Sequence, residues 1–159
     1  MKTKLSHVDK EGNPSMVNVS SKKDTLRFAK AQAVVYLGKE IIREITKNNL
    51  MTRKGPVFQT AILAGVMGSK RTSDLIPLCH PLSLEDCQVT VTIKGPRVII
   101  VSRATVNAKT GVEMEALTAA TVAAHTVYDM CKAMSHDIII EEIKLLEKTG
   151  GKADYKRRQ

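Results

Sequence analysis

The stretch DCQVTVTIKGPRVIIVSRATVN (86–107) decides the fold. In DCQVTVTIK (86–94) apolar and polar residues alternate, so one face of the segment is apolar and the other polar, as in a half-buried strand. Gly95-Pro96 is a turn signal, and RVIIVSRATVN (97–107) follows as the partner strand of a hairpin. Before the hairpin, RFAKAQAVVY (27–36) sets Ala29, Ala31, Ala33 and Val35 against Lys30 and Gln32. Period two again predicts a strand. After it, DIIIEEIKLL (137–146) predicts a last strand.

Helical spacing fills the gaps. Gly38 precedes KEIIREITKNN, where Ile41, Ile42 and Ile45 form a stripe and Asn48-Asn49 suit the end. In VFQTAILAGVMGSKR (57–71) Phe58, Ile62, Leu63 and Val66 share a face, and Lys70 and Arg71 complement the helix dipole. Residues 115–134 predict the longest helix. With the second of the two shorter helices (57–71) counted as extra, the order is β-α-β-β-α-β: an α+β, ferredoxin-like antiparallel sheet with helices on one face. Without repeats, low-complexity stretches or linkers, residues 1–159 are expected to form one domain. Residues 1–15, ending at Asn13-Pro14, are expected to be a loose arm, and the basic tail 151–159 mobile.

Composition narrows the partners. A formal charge of +9 calls for an anionic one: nucleic acid, a membrane surface or a phosphorylated small molecule. With no Trp, two Phe and three Tyr, few rings can stack on exposed bases. The basic residues do not line one face of an amphipathic helix, and no apolar run is long enough for a bilayer. The favoured partner is a small polyanion, with neither membrane nor nucleic acid. The N-terminal MKTKLSHVDKEG lacks the apolar core of a secretory signal, and the three cysteines (Cys79, Cys87, Cys131) include no CxxC pair. Reduced thiols and a cytoplasmic location are therefore expected, with no metal site.

Candidate chemistry falls in two segments, LIPLCHPL (75–82) and GVEMEALTAATVAAHTVYDMCKA (111–133). Pro77 and Pro81 stiffen the first, which offers Cys79 and His80; a braced imidazole suits substrate binding or proton transfer. In the second, Glu113 and Glu115 are two apart after Thr110-Gly111, so an extended backbone would project both to one side. Asp129 and Lys132 are three apart on the helix, hence neighbours, either as a plain surface ion pair or as working residues. Glu115 and Asp129 are fourteen positions apart, which at ~1.5 Å per residue is about 21 Å along one helix. Either the substrate is long or each pocket mixes the two ends from different subunits, and the second is favoured. GGK (150–152) could approach a phosphate through backbone N–H groups or simply be a flexible end.

MVNVS (16–20), KGPVFQTAILAGVMGSKRTSDLIPLCHPL (54–82), TGVEMEALTAATVAAHTVYDMCKA (110–133) and EKTGGK (147–152) together resemble the cyclic pyranopterin monophosphate synthases of molybdenum-cofactor biosynthesis. The resemblance spans nearly the whole chain, and KRTSDLIPLCHPL and TGVEMEALTA are long, unusual strings. It implies conversion of a cyclised dihydro-GTP triphosphate to cyclic pyranopterin monophosphate with release of pyrophosphate, by proton transfer and charge stabilisation and without a cofactor. It also implies a homohexamer built as a trimer of dimers, with pockets at subunit interfaces.

By position, Asp129 in YDMCKA falls where the family has its acid–base residue. Lys132 and Lys54 match lysines that offer positive charge to phosphate or developing anions. Leu78, Cys79 and His80 match one substrate-binding loop, Met114 and Glu115 a second with Glu113 beside them, and Arg27 an arginine near the phosphate end. Some positions depart from the family: KGD is KGP here (Pro56), Asn18 stands where Asp is commoner, His125 replaces a usual Leu, and the C-terminal pattern is KTGGKAD. From another class, a ferredoxin-like RNA-binding module would need aromatic residues on the open sheet face, where Phe28 and Tyr36 are the only candidates.

Overall fold

The computed structural model describes residues 7–158. Its central layer is a five-stranded antiparallel sheet in the order β4-β5-β1-β6-β7, made of β1 (Thr25–Tyr36), β4 (Asp86–Lys94), β5 (Arg97–Ala108), β6 (Ile139–Thr149) and β7 (Tyr155–Lys156). The hairpin closes at Lys94↔Arg97, and Gly95 takes φ 59°, the left-handed conformation a two-residue loop needs at its first position. The Pro96 carbonyl accepts the N–H groups of Leu37 and Gly38, which fixes the end of β1. The long strands and two long helices make the ferredoxin-like plan, and α2 (Val57–Lys70) and α4 (Glu113–Cys131) share one face of the sheet. The expected choice of extra helix is thereby corrected: α2 packs beside α4 on the sheet, and the extra helix is α1 (Lys39–Lys47), which inserts Ile41 and Ile45 into the core.

Period two explains the core. Ala29, Ala31, Ala33 and Val35 of β1, with Val98, Ile100, Ala104 and Val106 of β5, are buried beneath α4. That helix meets them with Ala116, Ala119, Ala120, Ala123, Ala124 and Val127, also buried. Small side chains on both layers bring the backbones close. Against α2 the approach is closer still: a Cβ at Gly65 would lie 2.8 Å from the Ala119 carbonyl oxygen, and one at Gly68 would lie 2.7 Å from Val122 Cγ2. Two buried serines fasten the first turn of α4. Ser102 Oγ donates to the Ala116 carbonyl at 2.6 Å, and Ser69 Oγ to the Glu115 carbonyl at 3.0 Å.

Element boundaries differ from the pattern in places. β1 starts at Thr25 and α4 at Glu113, two residues ahead of the periodic signal in each case. β6 covers Ile139–Thr149, because Ser135 Oγ accepts the Asp137 N–H in a turn. Two register shifts against β1, at Lys30/Ala31 and Val34/Val35, break its alternation. Three short elements carry no periodic signal: β2 (Met51–Thr52), β3 (Gly55–Pro56) and α3 (Thr72–Leu75). Tyr155 and Lys156 pair with Lys148 and Glu147, so the basic tail adds a short strand at the sheet edge. Among the described residues no helix is long and apolar enough to cross a membrane.

Candidate active site

Two groups of polar residues stand at the two ends of α4. At the C-terminal end, Asp129 lies between two lysines. Lys132 Nζ reaches Asp129 Oδ1 at 2.8 Å from the next turn, and Lys54 Nζ reaches Oδ2 at 2.6 Å and the Asp129 carbonyl at 3.0 Å. Lys54 arrives on the β2–β3 hairpin. Asn49 and Leu50 both adopt positive φ (52° and 60°) and turn the chain off α1, so that the Arg53–Lys54 tip points back at α4. The replacement of the family's acid by Pro56 leaves this contact in place. Hydrogen bonds and charge from Lys132 and then Lys54 hold the Asp129 carboxyl down at about 2. Asp129 in turn raises the pKa of Lys132. All three side chains are about half exposed, so a ligand can reach them.

At the N-terminal end a cavity of about 530 Å³ is lined by Leu78, Cys79, His80, Glu113, Met114 and Glu115, joined by Val17, Val19, Lys22, Thr110, Gly111 and Lys152. His80 Nε2 lies 2.9 Å from the Val17 carbonyl oxygen. A carbonyl only accepts, so Nε2 carries the proton and Nδ1 is the ring nitrogen left to take one. Glu115 is 4% exposed, and its carboxyl is pushed up by burial, with a further push from the charge of Glu113. The Cys79 thiol is likewise raised, by burial and then by Glu115.

The expectation that Glu113 and Glu115 project to one side needs correction. Both lie in the first turn of α4, where residues two apart diverge by ~200° around the axis. Glu113 turns to Lys148 Nζ at 2.9 Å, while Glu115 is buried. Arg27 lies beyond this pair in a smaller cavity of about 240 Å³, with Glu113, Lys148, Gly151 and Lys152. Its guanidinium donates to the Ala108 and Lys109 carbonyls at 3.3 and 3.5 Å. Glu113, Gly111 and Lys152 line both cavities, so the two are neighbours.

The N-terminal residues therefore converge, as do Asp129, Lys54 and Lys132, but among the described residues neither cavity at the N-terminal end of α4 is lined by the second group. Lys54 faces a different groove, with Met51, Arg53, Met130 and Met134. Sequence reading missed Lys22 and Lys148, and gave Lys152 only as part of GGK. The available signal for Lys148 was its place in EKTGGK; it stands opposite Ala29, on the helix-facing side of β6. Among the described residues no group of three His, Cys, Asp or Glu could hold a metal ion, and the three cysteines are free.

Fold and site together define an α+β domain of the ferredoxin-like plan with a carboxylate–lysine cluster at one end of its long helix and a buried acid at the other. The MoaC family pattern matches residues 16–151, and the chain belongs to the MoaC family. It is 48% identical over 159 residues to molybdenum cofactor biosynthesis protein 1 of Drosophila melanogaster, an alignment that takes in 99% of this chain. The chain spans 28% of the length of that relative.

Proposed function

We propose that this protein works in molybdenum-cofactor biosynthesis as a cyclic pyranopterin monophosphate synthase, a lyase-type enzyme acting on cyclised dihydro-GTP. The product is cyclic pyranopterin monophosphate, and pyrophosphate leaves. The observation that carries the proposal is Asp129 gripped by Lys54 and Lys132 at the exposed end of α4. The rearrangement needs rings opened and reclosed and an oxygen brought onto the α-phosphate, all by proton transfer and stabilisation of negative charge.

Asp129 acts as the proton-transfer group. In the free protein the two lysines keep its carboxylate a weak base. Phosphate oxygens that draw Lys54 or Lys132 to themselves lift that restraint, and the carboxylate gains basicity as the substrate binds. Leu78, Cys79, His80, Met114 and Glu115 cradle the ring system, with Glu113 beside them, and Arg27 serves the phosphate end. Because these residues and Asp129 sit at opposite ends of one helix, each working pocket takes its two halves from different subunits of a homo-oligomer, a hexamer built from dimers. A cytoplasmic location and no resident cofactor complete the reading.

The test is direct. Purified protein is given the cyclised dihydro-GTP, and formation of the tricyclic monophosphate and pyrophosphate is followed. Intact substrate in the presence of excess enzyme would refute the assignment.

A further inference from the structure

We infer that Thr52 is the positioning residue that sets the Lys54 ammonium on Asp129, an inference that rests on the acid–base reading of that aspartate. Lys54 has a flexible four-carbon stem at the tip of a hairpin whose strands are two residues each. So short a hairpin does not hold its own shape in water. Positive φ falls on Gly55 (110°) and on neither Arg53 nor Lys54, so the tip lacks the backbone conformation that self-supporting two-residue loops use.

The Val57 N–H bonds to the Leu50 carbonyl at 2.9 Å and closes the base of the hairpin, and at its tip the support comes from a hydroxyl. Thr52 Oγ1 accepts the Lys54 N–H at 3.2 Å and donates to the Gly55 carbonyl at 3.3 Å, spanning the turn on both sides of Lys54. Among the described residues Thr52 makes no side-chain hydrogen bond to Asp129 and does not line the α4 N-terminal cavity; it lines the groove beside Lys54. Its role is therefore to fix where Lys54 starts, so that Nζ meets both the carboxylate and the carbonyl of Asp129. The charged groups to consider around Asp129 are Lys54 from the hairpin, Lys132 and His125 from α4 itself, and Arg53 and Glu44 along the adjoining groove.

The experiment follows the Asp129 carboxyl by NMR of protein labelled at aspartate carboxyl carbons, its signal assigned by its absence in Asp129→Asn. Lys54→Ala should raise the Asp129 titration midpoint toward the ordinary carboxylate range. Thr52→Val, similar in shape but without the hydroxyl, should produce at least half of that rise, and Thr52→Ser should restore the starting value. With substrate, Thr52→Val should lower kcat about 10- to 100-fold with little change in KM, since displacement of a catalytic charge by ~1 Å has effects of that size. Thr52→Ala replaces Thr52→Val if the valine protein does not fold. A Thr52→Val protein that titrates with the wild type, or a Thr52→Ser protein whose Asp129 midpoint is raised as far as the one expected of Thr52→Val, overturns the inference. If the wild type converts no substrate, the functional reading fails while the titration still decides the role of Thr52.

Discussion

Glu115 and Asp129 occupy the first and last turns of the same helix, one 4% exposed and the other about half exposed. The helix between them is lined with buried alanines and packed on the sheet and on α2, so within a chain the two carboxylates stay a helix length apart. On the proposed function, each would share a small substrate with its counterpart from another copy.

That geometry predicts complementation in trans. Asp129→Asn and Glu115→Gln proteins, each of reduced activity alone, are mixed under conditions that exchange subunits. In a dimer with two composite pockets, half of the dimers are mixed and one of their two pockets carries both native residues. About a quarter of wild-type activity should therefore return, by the symmetry of a two-fold interface. No recovery after demonstrated subunit exchange would mean that each pocket is built by one chain.

The lysine cage predicts a ligand-dependent titration. Asp129 sits at about 2, below its ordinary 3.8, so its ion pairs support the fold fully above 3.8 and are lost as pH falls through about 2. Inorganic pyrophosphate should compete for Lys54 and Lys132 and raise the Asp129 midpoint, as read by carboxyl NMR. A midpoint that stays at its free value with saturating pyrophosphate would argue against phosphate contact at these lysines. Replacing Asp129 by Asn should lower kcat by roughly 10²–10⁴-fold, the usual contribution of a positioned proton-transfer group.

Much of this was legible in the sequence, for identifiable reasons. The alternation in 86–107 and 27–36 reflects a sheet buried on one face, and that pattern is local. The Asp129–Lys132 contact is also local, one helical turn apart. Lys54 is 75 positions from Asp129, and the hairpin that delivers it has two-residue strands with no period to detect. The split between Glu113 and Glu115 turned on whether α4 starts before or after Glu113. Propensity leaves such boundaries soft; here Ser69 and Ser102, from distant elements, hold the first turn in place.

The close α2–α4 packing predicts that Gly65→Ala destabilises the protein. Alanine would gain about 1 kcal/mol in helix propensity. Its methyl, however, would meet the Ala119 carbonyl oxygen at 2.8 Å, Val89 Cγ2 at 3.1 Å and Ala123 Cβ at 3.2 Å. Overpacking of this kind costs ~1–3 kcal/mol, and here the closest partner is backbone that cannot rotate away. A net loss of up to about 2 kcal/mol is expected in denaturant unfolding. An unchanged or higher midpoint would show that the two helices can separate without loss.

Glu115 separates stability from function. Its carboxyl is raised mainly by burial, so the folded state binds that proton more tightly than the unfolded chain does. The sign is opposite to that of Asp129: the fold loses stability as pH climbs from the ordinary glutamate value through the raised one. Glu115→Gln keeps the shape and removes the charge, so it should be at least as stable as the wild type at pH 7. Below pH 4 the advantage should vanish, because the native carboxyl is then neutral in both states. Turnover should fall nonetheless, since a carboxylate cradling the substrate is lost. Thermal melts at the two pH values, beside an activity assay, test this; a glutamine protein less stable at pH 7 would mean that the buried charge is compensated by contacts within the fold.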